Sequence, residues 1–235
     1  MTNIEAVAVV IPARNEEAAL PAALASIDEA ACGVRCSVTT IVVCDSCTDT
    51  TAALARDAGA HVVETAVGCA GGARRIGVAF AADLLDAHPH DALWLANTDA
   101  DSIVRADWLR THVRAAEAGW EGYAGEVVVP DWTDWPDALP GVYERHYRRP
   151  GRLPPVHGAN LGVRLDAYLA VGGFPVVACG EDQMLVDRLT AEGYRVLASS
   201  DEPVHTSARR TARAGGGFSS HLRALELEIV PPSPI

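Results

Sequence analysis

Short apolar runs alternate with longer helix-like stretches over the first hundred positions of the chain. Ala6 to Ile11 is apolar throughout and predicts a buried strand, followed by a helix from about Glu16 to Ala31. Val38 to Val43 predicts a second strand and Thr48 to Ala58 a second helix. His61 to Thr65 is a third strand, Gly71 to Ala87 a third helix, and Asp91 to Ala96 a fourth strand. Strands that are apolar at both alternating sets of positions are those covered on both faces, as in a parallel sheet. Strand–helix alternation at this spacing implies βαβ units with right-handed crossovers. Beyond Asp101 the rhythm changes. Arg105 to Ala118 reads as a helix, Gly122 to Val129 as extended chain, and Gly158 to Arg164 as a short strand. Asp182 to Glu192 reads as a helix and Tyr194 to Ala198 as a strand. A Trp/Pro-rich stretch, Pro130 to Pro155, interrupts the pattern, and an Arg/Gly-rich one, Arg209 to Gly217, follows it. The fold class expected is α/β, a Rossmann-like mostly parallel sheet flanked by helices.

Length and composition narrow this picture. With 235 residues, 49% hydrophobic and 21% charged, the chain can build one large α/β core without help. A formal net charge of −12 argues against nucleic acid and anionic membrane as partners, since both need cationic patches. All 19 basic residues are arginines, which excludes chemistry built on a Schiff-base or P-loop lysine. No apolar run approaches the ~18 residues of a membrane span. The N-terminus enters a strand without a basic leader, and six cysteines make no disulfide framework, so a cytoplasmic location is expected.

Ligands of open parallel sheets bind beyond the carboxyl ends of the strands. The junctions at Pro12–Glu16, Cys44–Asp49, Gly68–Arg75 and Asn97–Asp101 are all rich in chemistry. Asp99 and Asp101 follow the fourth strand one residue apart, so in extended chain their carboxylates share a face. Paired like charges call for a cation, and hard oxygens suit Mg²⁺ or Mn²⁺; capping the helix that begins near Arg105 accounts for the same residues. Asp45 leaves the second strand towards the crevice, while Thr48 and Asp49 can cap the helix after it. Cys44 and Cys47 are spaced like a redox pair at a helix N-terminus, and with Cys32 and Cys36 form a poorly spaced four-cysteine zinc pattern. Gly68 to Arg75 is a Gly-rich turn opening a helix, suited to anions or simply to a loop, and it lacks the G-x-G-x-x-G spacing. Glu181 and Asp182 start a helix, where the dipole favours acids and where Asp182 can also act as a general base. His205 is a ligand type for Mn²⁺ or a structural histidine, and Arg209, Arg210 and Arg213 can meet phosphate or only solvent. Trp132, Trp135, Tyr143, His146 and Tyr147 can stack on sugars, form an interface or build a satellite core.

Taken in order, these segments resemble family 2 glycosyltransferases of the GT-A fold. Val10–Glu17 is similar to an opening V-I-P-x-x-N-E, and Cys44–Thr51 to D-D-x-S-x-D-x-T with cysteine at two positions. Gly71–Gly77 resembles the glycine/arginine segment, Asn97–Asp101 the D-x-D signature, His157–Arg164 the acceptor-side segment and Gly180–Asp182 the E-D pair. The resemblance implies a nucleotide-binding half to about residue 101, an acceptor half at 102–223 and a short tail at 224–235, in one domain. It implies Pro12, Arg14, Glu16, Asp45, Arg75 and Asp99 around a UDP- or GDP-sugar, and Asp101 on Mn²⁺ or Mg²⁺. Gly158, Asn160 and Glu181 would meet a small-molecule or glycan acceptor, with Asp182 as the base of an inverting transfer. His205 matches a second metal ligand found in several GT-A enzymes, including glucosyl-3-phosphoglycerate synthases, a similarity that extends to retaining enzymes. A homodimer is the candidate assembly. The rival readings are a nucleotidyltransferase on a related sheet, which wants a Gly-rich loop where Pro12–Glu16 stands, a thiol oxidoreductase or redox sensor using Cys44 and Cys47, and a non-catalytic sugar-nucleotide-binding protein, against which Asp101 and Asp182 speak.

Overall fold

A computed structural model describes residues 3–147, 156–211 and 217–229. Arg213, the end of the Trp/Pro-rich stretch at 148–155 and the tail at 230–235 lie outside the described residues. The first half is built from β1 (Ala6–Ala13), α1 (Leu20–Ala31), β2 (Ser37–Asp45), α2 (Thr51–Asp57), β3 (His61–Thr65), α3 (Ala70–Leu84) and β4 (Leu93–Asn97). Next come β5 (Ser102–Ile103), α4 (Trp108–Glu117), β6 (Gly122–Val128) and α5 (Leu139–Tyr147). The chain closes with β7 (Leu161–Arg164), α6 (Leu165–Ala170), α7 (Glu181–Ala191), β8 (Val196–Thr206) and α8 (Phe218–Ile229). These strands form one sheet in the order β3-β2-β1-β4-β7-β6-β8-β5.

The four strands of the first half pair in parallel, with Val10 opposite both Ile41 and Asn97. Alternation along β1 explains why every residue from Ala6 to Ile11 is fully buried. Val7, Val9 and Ile11 pack with Leu20, Leu24 and Ile27 of α1 and Leu109 of α4. Ala8 and Val10 pack on the opposite face with Ala73, Val78 and Ala81 of α3 and Leu185 and Leu189 of α7. In the second half, β7 runs antiparallel to both β4 and β6, β8 is parallel to β6, and β5 is antiparallel to β8.

A third, smaller core joins α5 to α8 through Leu139, Val142, Tyr143, Tyr147, Leu222 and Leu225, with Trp135 and Ala208. The aromatic residues of the Trp/Pro-rich stretch therefore build a satellite core. The segment expected to be a tail from residue 224 continues α8 as far as Ile229, with Leu225 buried.

One buried polar cluster ties the halves together. The Trp94 indole donates to His112 Nδ1 at 3.1 Å, and His112 Nε2 lies 3.3 Å from Asn160 Oδ1, which also accepts the Trp108 indole at 2.9 Å. Because an indole only donates, Nδ1 is an acceptor and the proton sits on Nε2, facing Asn160. Burial pushes His112 down to about 4. The folded state thus holds His112 neutral, while the unfolded chain protonates it near 6.5. Stability from this group is fully present above pH 6.5 and is lost as pH falls towards 4, by roughly 3 kcal/mol in all. Urea midpoints at pH 7 and pH 4.5 should differ by less in His112→Gln than in the wild type. An unchanged difference would remove this role.

Candidate active site

The carboxyl ends of β1, β2 and β4 and the starts of α3, α7 and α8 surround a cleft of about 510 Å³, within the range that holds small ligands. Pro12, Arg14, Glu16, Asp45, Asp99, Asp101, Gly158, Glu181 and Asp182 all line it. At one end Asp45 is buried, and both of its oxygens accept the Gly68 N–H, at 3.1 and 2.9 Å.

Two arginines organise the acids. Arg74, on α3, is buried and bridges Asp99 at the end of β4 to Glu181 at the start of α7. It crosses so close to Gly158 that a Cβ there would lie 2.4 Å from its guanidinium; only glycine leaves the passage open. Arg209, beyond β8, holds Glu16 at 2.7 Å and Asp101 at 3.1 Å. Burial pushes the Asp101 carboxyl up to about 7 despite Arg209, with Asp99 and Glu16 adding to the rise. Arg209 thus leaves Asp101 short of positive charge. Asp182 lies at the start of α7, its Oδ2 accepting the Gly158 N–H at 2.9 Å and its Oδ1 the Gln183 N–H at 2.8 Å. Gly180, at φ 79°, makes the left-handed turn that directs both acids of α7 into the cleft.

Three expected residues fall elsewhere. Arg75 turns away from the cleft and donates to the carbonyls of Gly172 at 2.9 Å and Phe174 at 3.2 Å; its neighbour Arg74 lines the cleft instead. The helical period supplies the reason, since positions 74, 77, 78 and 81 form the buried face of α3. Asn160 is fully buried among Trp108, His112 and the Glu126 carbonyl, and does not line the cleft. His205 pairs with Ile103 and Val128 within the sheet, and strand alternation gives the cleft to Thr206 instead.

The cysteine readings lose their basis. Burial, with Cys47 beside it, pushes the Cys44 thiol up to about 12, opposite to a redox thiolate. Cys47 donates to the Ala13 carbonyl and accepts the Asn15 N–H, both at 3.4 Å, bracing the loop after β1. Cys36 precedes β2 and Cys44 lies near its far end, roughly 26 Å away at ~3.3 Å per residue, too far for one zinc ion.

The model of glycosyl transferase family 2 matches residues 8–167. The chain belongs to glycosyl transferase family 2. Among solved structures it is similar to S. aureus TarS 1-349 in complex with UDP-GlcNAc, at 15% identity and TM-score 0.64, over 97% of this chain and 68% of that one. It is similar to the mannosyltransferase PcManGT of Pyrobaculum calidifontis, in complex with GDP-Man and Mn²⁺, at 20% identity and TM-score 0.62, over 94% and 61% of the two chains. It is also similar to Mycobacterium tuberculosis glucosyl-3-phosphoglycerate synthase with Mn²⁺, UDP and phosphoglyceric acid, at 21% identity and TM-score 0.60, over 95% and 78%. At these identities the likeness shows the fold, GT-A. No curated protein matches the chain. Among the described residues of this family 2 glycosyltransferase, no helix is long and apolar enough to cross a membrane.

Sequence reasoning about the family 2 site missed Arg74, His157 and His221, all of which line the cleft. For Arg74 the spacing from Gly77 and Val78 was a usable signal. His157 stood inside a recognised motif, but nothing in its spacing marked its side chain, and His221 follows an Arg/Gly-rich stretch with no motif of its own.

Proposed function

We propose that this enzyme transfers a sugar from a nucleoside-diphosphate sugar to an acceptor hydroxyl with inversion, using Asp182 as general base. The observation that carries the reading is that Asp45, Asp99, Asp101 and Asp182 open into one cleft at the carboxyl ends of parallel strands. Asp45, Pro12 and Arg14 are the donor's nucleoside side, and a UDP- or GDP-sugar is the donor class. Among the described residues no three His, Cys, Asp or Glu side chains form a metal cage. A divalent ion nonetheless fits the donor set, because the buried, proton-seeking carboxyl of Asp101 is an oxygen ligand short of positive charge. Asp101 would hold Mn²⁺ or Mg²⁺, which when bound supplies Lewis-acid stabilisation of the leaving diphosphate. In the transfer itself, the acceptor O–H gives its proton to Asp182 while its oxygen bonds to the anomeric carbon. The bond from that carbon to the diphosphate oxygen breaks, and the nucleoside diphosphate leaves with the electron pair. A cytoplasmic location belongs to the same reading, supported by six free thiols.

Thermal-shift titration with UDP-, GDP- and dTDP-sugars, with and without Mn²⁺, tests donor class, nucleotide and metal together. One nucleotide series should raise the melting temperature, and more so with Mn²⁺. Asp101→Asn should lose the Mn²⁺-dependent part while keeping the part due to nucleotide alone. If Mn²⁺ adds the same increment in the variant, Asp101 is not the ligand.

A further inference from the structure

Of the three helices that start at the cleft, α7 and α8 differ in charge at their N-termini. The first turn of α7 carries Glu181 and Asp182, which satisfy its positive pole. The first turn of α8 carries no acid, yet Gly217, Phe218, Ser219 and His221 all line the cleft. Facing it is His157, whose ring stacks on Tyr147 at 5.5 Å and 8° and meets the edge of Phe218 at 6.2 Å. His157 Nε2 is buried and has no hydrogen-bond partner among the described residues. A buried imidazole nitrogen left unpaired is costly unless a ligand completes it.

We propose that the acceptor carries an anionic group, a carboxylate or a phosphate, seated between the N-terminus of α8, His157 and His221. The inference rests on the reading of Asp182 as the base, since that places the acceptor on this side of the cleft. Helix N-termini bind anions through oriented N–H groups and the helix dipole. Burial lowers both imidazoles; His221 lowers His157 further, and His146 lowers His221 while Glu228 raises it; an anion between them offsets the lowering. Asp182 and Asp99 also face His157 and act in the opposite sense, so the anion belongs on the α8 side of the ring.

The test follows the histidine side chains by long-range ¹H–¹⁵N NMR in protein saturated with UDP and Mg²⁺, titrated separately with inorganic phosphate, acetate and glycerol. Phosphate, acetate or both should shift the His157 and His221 signals saturably, leaving His61 and His90 unmoved, and the stronger of the two identifies the acceptor's charged group. His157→Gln and His221→Gln should each weaken that binding about tenfold; His221 is exposed, so its variant reports even if the first repacks. Absence of saturable shifts with both anions overturns the proposal. So does an equal response to glycerol, or undiminished anion binding in both variants. Donor binding is read in the same samples from the Gly68 amide, so failure of the donor reading is seen separately.

Discussion

Replacing Asp182 by Asn should lower turnover about a thousandfold while leaving donor affinity within about twofold, the size expected for losing a positioned general base. The substitution keeps the shape and one carbonyl oxygen. That oxygen can keep the Gly158 N–H, now 2.9 Å from Oδ2, while the exposed Gln183 N–H, which Oδ1 accepts, turns to solvent, so the start of α7 should stay in place. What disappears is the capacity to take a proton from the acceptor hydroxyl. Single-turnover transfer rates and calorimetric binding of the donor measure the two effects independently. Near-normal turnover would remove Asp182 from the chemistry. Loss of donor binding would mean that it orders the cleft instead. The anomeric configuration of the wild-type product, read by NMR, decides between single displacement and retention.

The second large effect concerns Arg74. Its side chain is 4% exposed and that of Glu181 9%, whereas Asp99 at 36% retains contact with water. Arg74→Ala therefore strands Glu181 far more than Asp99. Removing one partner of a buried pair costs about 3–5 kcal/mol. For a domain of this size each kcal/mol lowers the melting temperature by roughly 2–4 °C, giving a fall of about 10 °C. Burial already raises the Glu181 carboxyl, and Arg74 opposes that rise. Without Arg74 the acid takes up a proton more readily, so the variant should lose more stability as pH rises and less in mild acid. Arg74→Ala combined with Glu181→Gln should recover part of the loss. Arg74→Lys should not, because one ammonium does not reproduce a planar fork between two carboxylates. Scanning calorimetry at pH 5 and pH 8 measures all of these, and a fall under about 2 °C for Arg74→Ala would contradict the pair's role.

The parallel half of the sheet was legible because its strands are buried on both faces, which leaves an unbroken apolar signature. His61–Thr65 was bounded as observed, and β1 and β2 were placed within two residues. The second half was harder for physical reasons. In α5 a proline sits at position 140 among tryptophans, so local composition spoke for a loop. In α8 the apolar positions Phe218, Leu222, Leu225 and Ile229 follow a helical period, but they come directly after an Arg/Gly-rich stretch. β8 runs on to Thr206, eight residues past its expected end at Ala198. That left the phase of alternation at His205 unset, and the strand gave the cleft Thr206. The acids of the cleft were legible from their places after strands or, for Glu181 and Asp182, at the start of a helix. The arginines that pair with them were not, since all but the Arg74–Asp99 pairing join positions more than a hundred residues apart.

Those pairings bear on how the enzyme can be made. Arg209 joins Glu16 across 193 positions, and Arg74 joins Glu181 across 107. During synthesis the parallel half emerges first, with Asp99 lacking its bridge to Glu181, and Glu16 and Asp101 lacking their guanidinium. The cleft is therefore among the last features to assemble, in keeping with the slowness of contacts between distant residues. A fragment ending near residue 101 would carry the strands of the parallel half but not all the charges that hold its loops in place. Division of the molecule at that point follows the change in strand pattern, and it cuts through a single electrostatic unit.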